Sequence, residues 1–103
     1  SWQREELQLS RQFIQYTASF SLPNTKMRGL IFELQPSFDP EEPLYSHPEE
    51  EILYVLEGSC LLTLEGKEYL LNPGDCVHIP ANAPHSWKNP TAHTAKLFGA
   101  YCV

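Results

Sequence analysis

Apolar residues in this chain fall in short runs broken by turn formers, without the three-to-four-residue rhythm of an amphipathic helix. Met27 to Gln35 predicts a strand ended by Pro36, and Phe13 to Phe20 predicts an opening strand or two before the turn at Leu22-Pro23-Asn24. Residues 36–50 carry four prolines (Pro36, Pro40, Pro43, Pro48) and five acidic residues, which excludes a central strand because proline lacks the ladder donor. The rhythm then becomes regular: strands are predicted over Ile52–Glu57, Ser59–Leu64, Lys67–Leu71, Cys76–Ile79, His85–Lys88 and Ala95–Val103. Between them lie Glu65-Gly66, a two-residue hairpin turn, Asn72-Pro73-Gly74-Asp75, the rigid loop Pro80–Pro84, and Asn89-Pro90-Thr91. Short strands at close, even spacing predict an all-β antiparallel sandwich or barrel, and the lack of long helical insertions excludes a parallel βαβ sheet. The first dozen residues are polar with few apolar positions; 1–12 is expected to be a linker or short helix, and 13–103 the folded unit.

Composition narrows the function classes. The chain has 103 residues, enough for one domain, and 42% hydrophobic residues, too apolar for a disordered chain. Seven Lys and Arg against thirteen Asp and Glu give a formal charge of −6, so this segment by itself is a poor grip for nucleic acid. No apolar run approaches the length needed to span a bilayer, and there is no signal-peptide pattern. Cys60, Cys76 and Cys102 are odd in number and lack metal-ligand spacing, which fits reduced thiols and a cytoplasmic location. The chain starts at Ser1 rather than methionine, as expected of a processed or tagged terminus or of a domain cut from a longer protein.

Two clusters carry chemistry. The first is Tyr45-Ser46-His47-Pro48-Glu49-Glu50-Glu51; the second is His85, after the proline-rich loop. Alternation puts positions 45 and 47 on one face, and Glu51 opens the next strand. A hairpin-rich fold can bring His85 opposite. Two imidazoles and a carboxylate suit a borderline divalent cation such as Zn, Ni, Fe, Mn or Cu, and the same pocket could equally be metal-free. An ordinary structural role for each residue remains the alternative.

Spacing of these three residues alone is a weak signal, and a wider pattern carries the reading further. His47, Glu51 and Gly58, followed by Gly74, Pro80, His85 and Asn89, resemble the two motifs of the cupin superfamily in order and interval. The 15-residue spacer from Ser59 to Pro73 is similar to that of compact single-barrel cupins. The resemblance implies a cupin double-stranded β-helix, a jelly-roll-like barrel hollow enough for a ligand and assembled as a homodimer. It carries a metal role onto His47, Glu51 and His85. The family's first histidine is replaced by Tyr45, which becomes a possible fourth ligand, although a phenol is weak unless ionised.

The run Glu42–Gly58 and the stretch Leu71–Pro90 are further similar to the C-terminal cupin domain of bacterial helix-turn-helix (XRE-type) regulators. That likeness implies a sensor domain whose effector is held by Tyr45, His47, Glu51, His85 and Trp87, with DNA bound only through a separate N-terminal segment. The rival expectations are a small metal-dependent cupin enzyme (dioxygenase, isomerase or lyase) and a binding module without a switch. Among the remaining candidates, His78 and His93 are expected at the surface. Trp87 is expected in the pocket, the core or a dimer face. Phe32, Tyr54, Tyr69 and Phe98 are expected in the core or at a dimer contact. Cys60 and Cys76 lack a histidine partner that would make a catalytic thiol.

Overall fold

A computed structural model describes residues 6–8, 13–17, 23–40 and 46–103. Among them the chain forms nine strands: β1 Glu6–Gln8, β2 Phe13–Thr17, β3 Met27–Leu34, β4 Glu51–Glu57, β5 Cys60–Leu64, β6 Lys67–Leu71, β7 Cys76–Ile79, β8 His85–Lys88 and β9 Ala95–Cys102. No described residue is helical. The strands build two sheets, one ordered β1-β2-β3-β9-β4-β7 and the other β6-β5-β8, with every pairing antiparallel. This is the all-β antiparallel fold that the spacing of the turns predicts, in the two-sheet barrel form that the cupin resemblance implies.

One difference lies at the start. Residues 6–8 pair with Ile14–Tyr16 as an edge strand, where the polar pattern predicts a linker or helix. An edge strand is held by backbone ladder bonds, so it needs no apolar alternation to declare itself. The rest of 1–12 lies outside the described residues.

The core is the layer between the sheets. Leu53 and Val55 of β4, Leu97 of β9, Leu34 of β3, Leu62 of β5 and Ile79 of β7 are fully buried. Strict alternation therefore fixes which positions face inward on each strand: 30, 32 and 34 on β3, 51, 53 and 55 on β4, 95, 97, 99 and 101 on β9. Gly99 confirms this phase, because a Cβ there would stand 3.1 Å from both the Leu30 and Leu53 side chains.

One end of the barrel is closed by Asn89. Its side chain is fully buried and makes four hydrogen bonds. Nδ2 donates to the carbonyls of Leu34 (2.9 Å) and His93 (2.8 Å), and Oδ1 accepts from the Thr91 backbone N–H (3.0 Å) and hydroxyl (2.7 Å). Its own N–H donates to the Phe38 carbonyl at 2.7 Å, which seats buried Phe38 as a lid over that end.

Two turns show why their residues are needed. Glu65 (φ 50°) and Gly66 (φ 81°) are both left-handed, the backbone of a tight hairpin whose twist matches the flanking strands. Gly58, at φ 70°, ends β4 with its α-carbon against the Thr94–Ala95 backbone, leaving no room for a Cβ. Asn82 also adopts positive φ (63°), the conformation its residue type tolerates.

Candidate metal and ligand site

At the opposite end of the barrel, β4 begins with Glu51. Because Leu53 and Val55 point into the core, alternation turns the Glu51 carboxylate inward as well, and it is buried. His85 opens β8 in phase with buried Trp87, so its imidazole also enters the interior. His47 precedes β4 in an irregular segment. The Asn82 N–H donates to its carbonyl at 2.7 Å, tying that segment to the loop before His85.

The three side chains converge. His47 Nε2 lies 3.2 Å and His85 Nε2 4.0 Å from the same oxygen, Glu51 Oε1. The two rings meet edge to face with centroids 4.9 Å apart. One donor atom from each residue falls within 4.8 Å of the others. Glu51 and His85 are buried while the His47 side chain is 30% exposed, so the group opens on the His47 side.

Main-chain carbonyls set the chemistry of the rings. His47 Nδ1 lies 2.9 Å from the Glu49 carbonyl and His85 Nδ1 2.9 Å from the Ala83 carbonyl. A carbonyl only accepts, so both Nδ1 atoms carry the proton, and in the neutral rings both Nε2 lone pairs face Glu51. Burial pushes the Glu51 carboxyl above its ordinary range, and the neighbouring imidazoles of His47 and His85 pull part of the way back. Three acceptors aimed at one buried point need a shared cation or proton between them. Two imidazole nitrogens and a carboxylate oxygen, oriented by carbonyls behind them, fit a borderline divalent cation.

The other expected site residues are placed as follows. Tyr45 lies outside the described residues. Trp87 sits two residues deeper than His85 on the same face and is buried in the apolar core. His78 is exposed and paired with Glu50 at 2.8 Å, and His93 is exposed. Phe32 is in the core, whereas Tyr54, Tyr69 and Phe98 are each at least 40% exposed. Cys60 is buried, and burial pushes its thiol up to about 12, which excludes it as a nucleophile at neutral pH.

Sequence reasoning misses the two orienting carbonyls and one side chain. Tyr101 of β9 is in register with Glu51 on the inward face and packs against the core. The inward phase of β9, with Ala95 and Leu97 buried, is the signal that marks it.

Two antiparallel sheets closed around one core, with a histidine–glutamate–histidine group at one end, define a β-barrel with a candidate metal or ligand site. The profile of the Cupin_2 family (Cupin domain) matches residues 30–102, and the chain belongs to that family. Over 79 residues the chain is 33% identical to the HTH-type transcriptional regulator PuuR of Escherichia coli, covering 77% of this chain and 42% of the regulator. Over 55 residues it is 40% identical to quercetin 2,3-dioxygenase of Bacillus subtilis, covering 53% of this chain and 16% of that protein. The chain thus spans less than half the length of either relative. The crystal structure of the Cupin_2 domain of an XRE family transcriptional regulator from Enterobacter cloacae superposes with a TM-score of 0.75, covering 88% of this chain and 96% of that one. At 15% identity that likeness speaks for the fold alone.

Proposed function

We propose that this domain is the small-molecule sensor of a bacterial, cytoplasmic transcriptional regulator, whose DNA-binding segment belongs to a part of the protein outside this chain. The carrying observation is the similarity to PuuR across 77% of the chain, together with the His47, Glu51 and His85 group at the barrel mouth. An effector held there, directly or on a divalent cation bound by the three residues, shifts the balance between barrel conformations. A bound cation supplies a Lewis-acid centre for a ligand oxygen. Glu51 and the two imidazoles hold it, while Leu53, Trp87 and Ile79 keep the inner side of the group dry.

The domain works as a homodimer in this reading. Ile52, Tyr54 and Leu56 of β4 and Phe98 of β9 are exposed on the outer face of the larger sheet, with Tyr54 and Phe98 in direct register. Aromatic residues clustered on an outer sheet face suit burial against a second copy.

The test uses the gene product read from its own start codon. A helix-turn-helix segment ahead of Ser1 is expected, with gel-shift DNA binding that changes on adding Zn²⁺ or Ni²⁺ and no longer changes in His85→Ala. A gene product without such a segment overturns the regulator reading. A metal-dependent enzyme is the second reading, favoured by the 40% identity to quercetin 2,3-dioxygenase. Elemental analysis after metal loading addresses it: no stoichiometric metal in the wild type eliminates that reading.

A further inference from the structure

The register of the larger sheet carries the site beyond its three ligand residues. On the inward face, Ile79, Glu51, Tyr101 and Arg28 stand in one row across β7, β4, β9 and β3. Arg28 belongs to this face because Leu30, Phe32 and Leu34, spaced two apart along β3, are all buried. Its guanidinium is held at the rim, Nη1 donating to the Thr25 carbonyl at 3.1 Å and the Met27 carbonyl at 3.0 Å. Its remaining N–H groups make no hydrogen bond among the described residues.

On the smaller sheet the matching inward row is His85, Leu64 and Lys67, again ending in a cation. The Lys67 ammonium is steadied 5.7 Å from the Tyr69 ring. In a chain of charge −6 with only seven basic residues, two of them occupy inward positions at the mouth that holds the histidines. A guanidinium fixed at the barrel rim, with N–H groups to spare, can receive a carboxylate through paired donors.

We propose that the ligand of this barrel is a short dicarboxylate: one carboxylate meets the cation held by His47, Glu51 and His85, and the second is received by Arg28, with the Tyr101 ring as the wall between. Two strand spacings, about 10 Å, separate the Glu51 and Arg28 backbones, and inward side chains from both ends shorten the gap to an acid of about four to six carbons. The inference rests on the reading of the three residues as a binding site, but Arg28 can be tested apart from it.

Zinc titration by calorimetry is done first; failure of Zn²⁺ to bind sinks the site reading and with it the cation half of the proposal, and the zinc-free titrations then test Arg28 by itself. Glutarate, butyrate and 1,4-diaminobutane are then titrated into zinc-free and zinc-loaded protein. Glutarate is expected to bind about tenfold or more tightly than butyrate, the worth of one charge-assisted contact. Arg28→Gln should erase that ratio and leave the Zn²⁺ affinity unchanged, and Arg28→Lys should keep part of it. Equal binding of glutarate and butyrate in both forms, tighter binding of the diamine, no glutarate binding at millimolar concentration, or an unaltered ratio in Arg28→Gln overturns the proposal.

Discussion

Replacing Asn89 by alanine removes the knot that closes one end of the barrel. Its two amide hydrogens and its oxygen serve four partners drawn from β3 and the turn after β8. The His93 carbonyl keeps a donor, since the Thr91 hydroxyl also reaches it at 2.9 Å, and the partly exposed Thr91 can turn to water. At the Leu34 carbonyl water cannot replace the lost amide donor, because Leu34 is 1% exposed, although the strand ladder still serves it. Each of the four lost neutral bonds costs about 0.5–1.5 kcal/mol, so the change should cost about 3–5 kcal/mol. Against a domain stability of about 5–15 kcal/mol this is a large fraction. At about 4–8 °C per kcal/mol for a domain near this size, the melting temperature should fall by roughly 15–30 °C. Urea unfolding followed by tryptophan fluorescence supplies the free energy. Asn89→Asp separates the causes: it keeps the volume but loses both donations to carbonyls, so it should cost at least as much as alanine. Zn²⁺ affinity of the folded fraction should not change, because the site lies at the other end. A loss below about 1 kcal/mol, no more than one ordinary hydrogen bond, would refute the account of Asn89 as the closing residue.

Three further outcomes are expected. Gly58→Ala must hold a left-handed backbone with its Cβ against the Thr94 carbonyl and 2.9 Å from the Ala95 α-carbon; it should lose at least about 2 kcal/mol by urea unfolding, more than the backbone penalty alone. Glu51→Gln should abolish Zn²⁺ binding by calorimetry yet raise the melting temperature of the metal-free protein at pH 7. A carboxyl raised from its ordinary 4.5 binds more protons folded than unfolded, so ionised Glu51 destabilises the metal-free fold at neutral pH. The gain over wild type should therefore shrink as pH falls through the raised value and vanish below 4.5; a gain that grows in acid contradicts the burial argument. Cys60 should resist a thiol reagent at pH 8 in the native protein and react only in denaturant, as counted by absorbance.

Much of the barrel was legible because its turns are chemically distinctive. Glu65-Gly66, Asn72–Asp75 and the paired prolines at 80 and 84 bound β5 to β8 within a residue or so, since their backbones admit few other conformations. The convergence of His47, Glu51 and His85 was legible from motif spacing, and the structure brings the three together. The edge strand at 6–8 was not, because its partner bonds are made by backbone and leave no apolar signature. Nor were Tyr101 and Arg28, which stand beside Glu51 only through the register of β4 on β9 and β9 on β3. Cross-strand register is a long-range property, fixed by the packing of the whole inner face. Tyr54 and Phe98 show the converse limit: large aromatic residues read as interior or contact, and only the observed phase turns them outward.

The groups that lock the two imidazoles are main-chain oxygens of Glu49 and Ala83. No point substitution deletes a peptide carbonyl, so the half-buried Glu49 side chain can drift through evolution while its ring stays aimed, whereas core packing keeps Ala83 small. A barrel arranged this way can exchange part of its lining for new specificities without reinventing its anchor, and libraries that randomise position 49 should retain Zn²⁺ capture far more often than libraries that randomise 47 or 85.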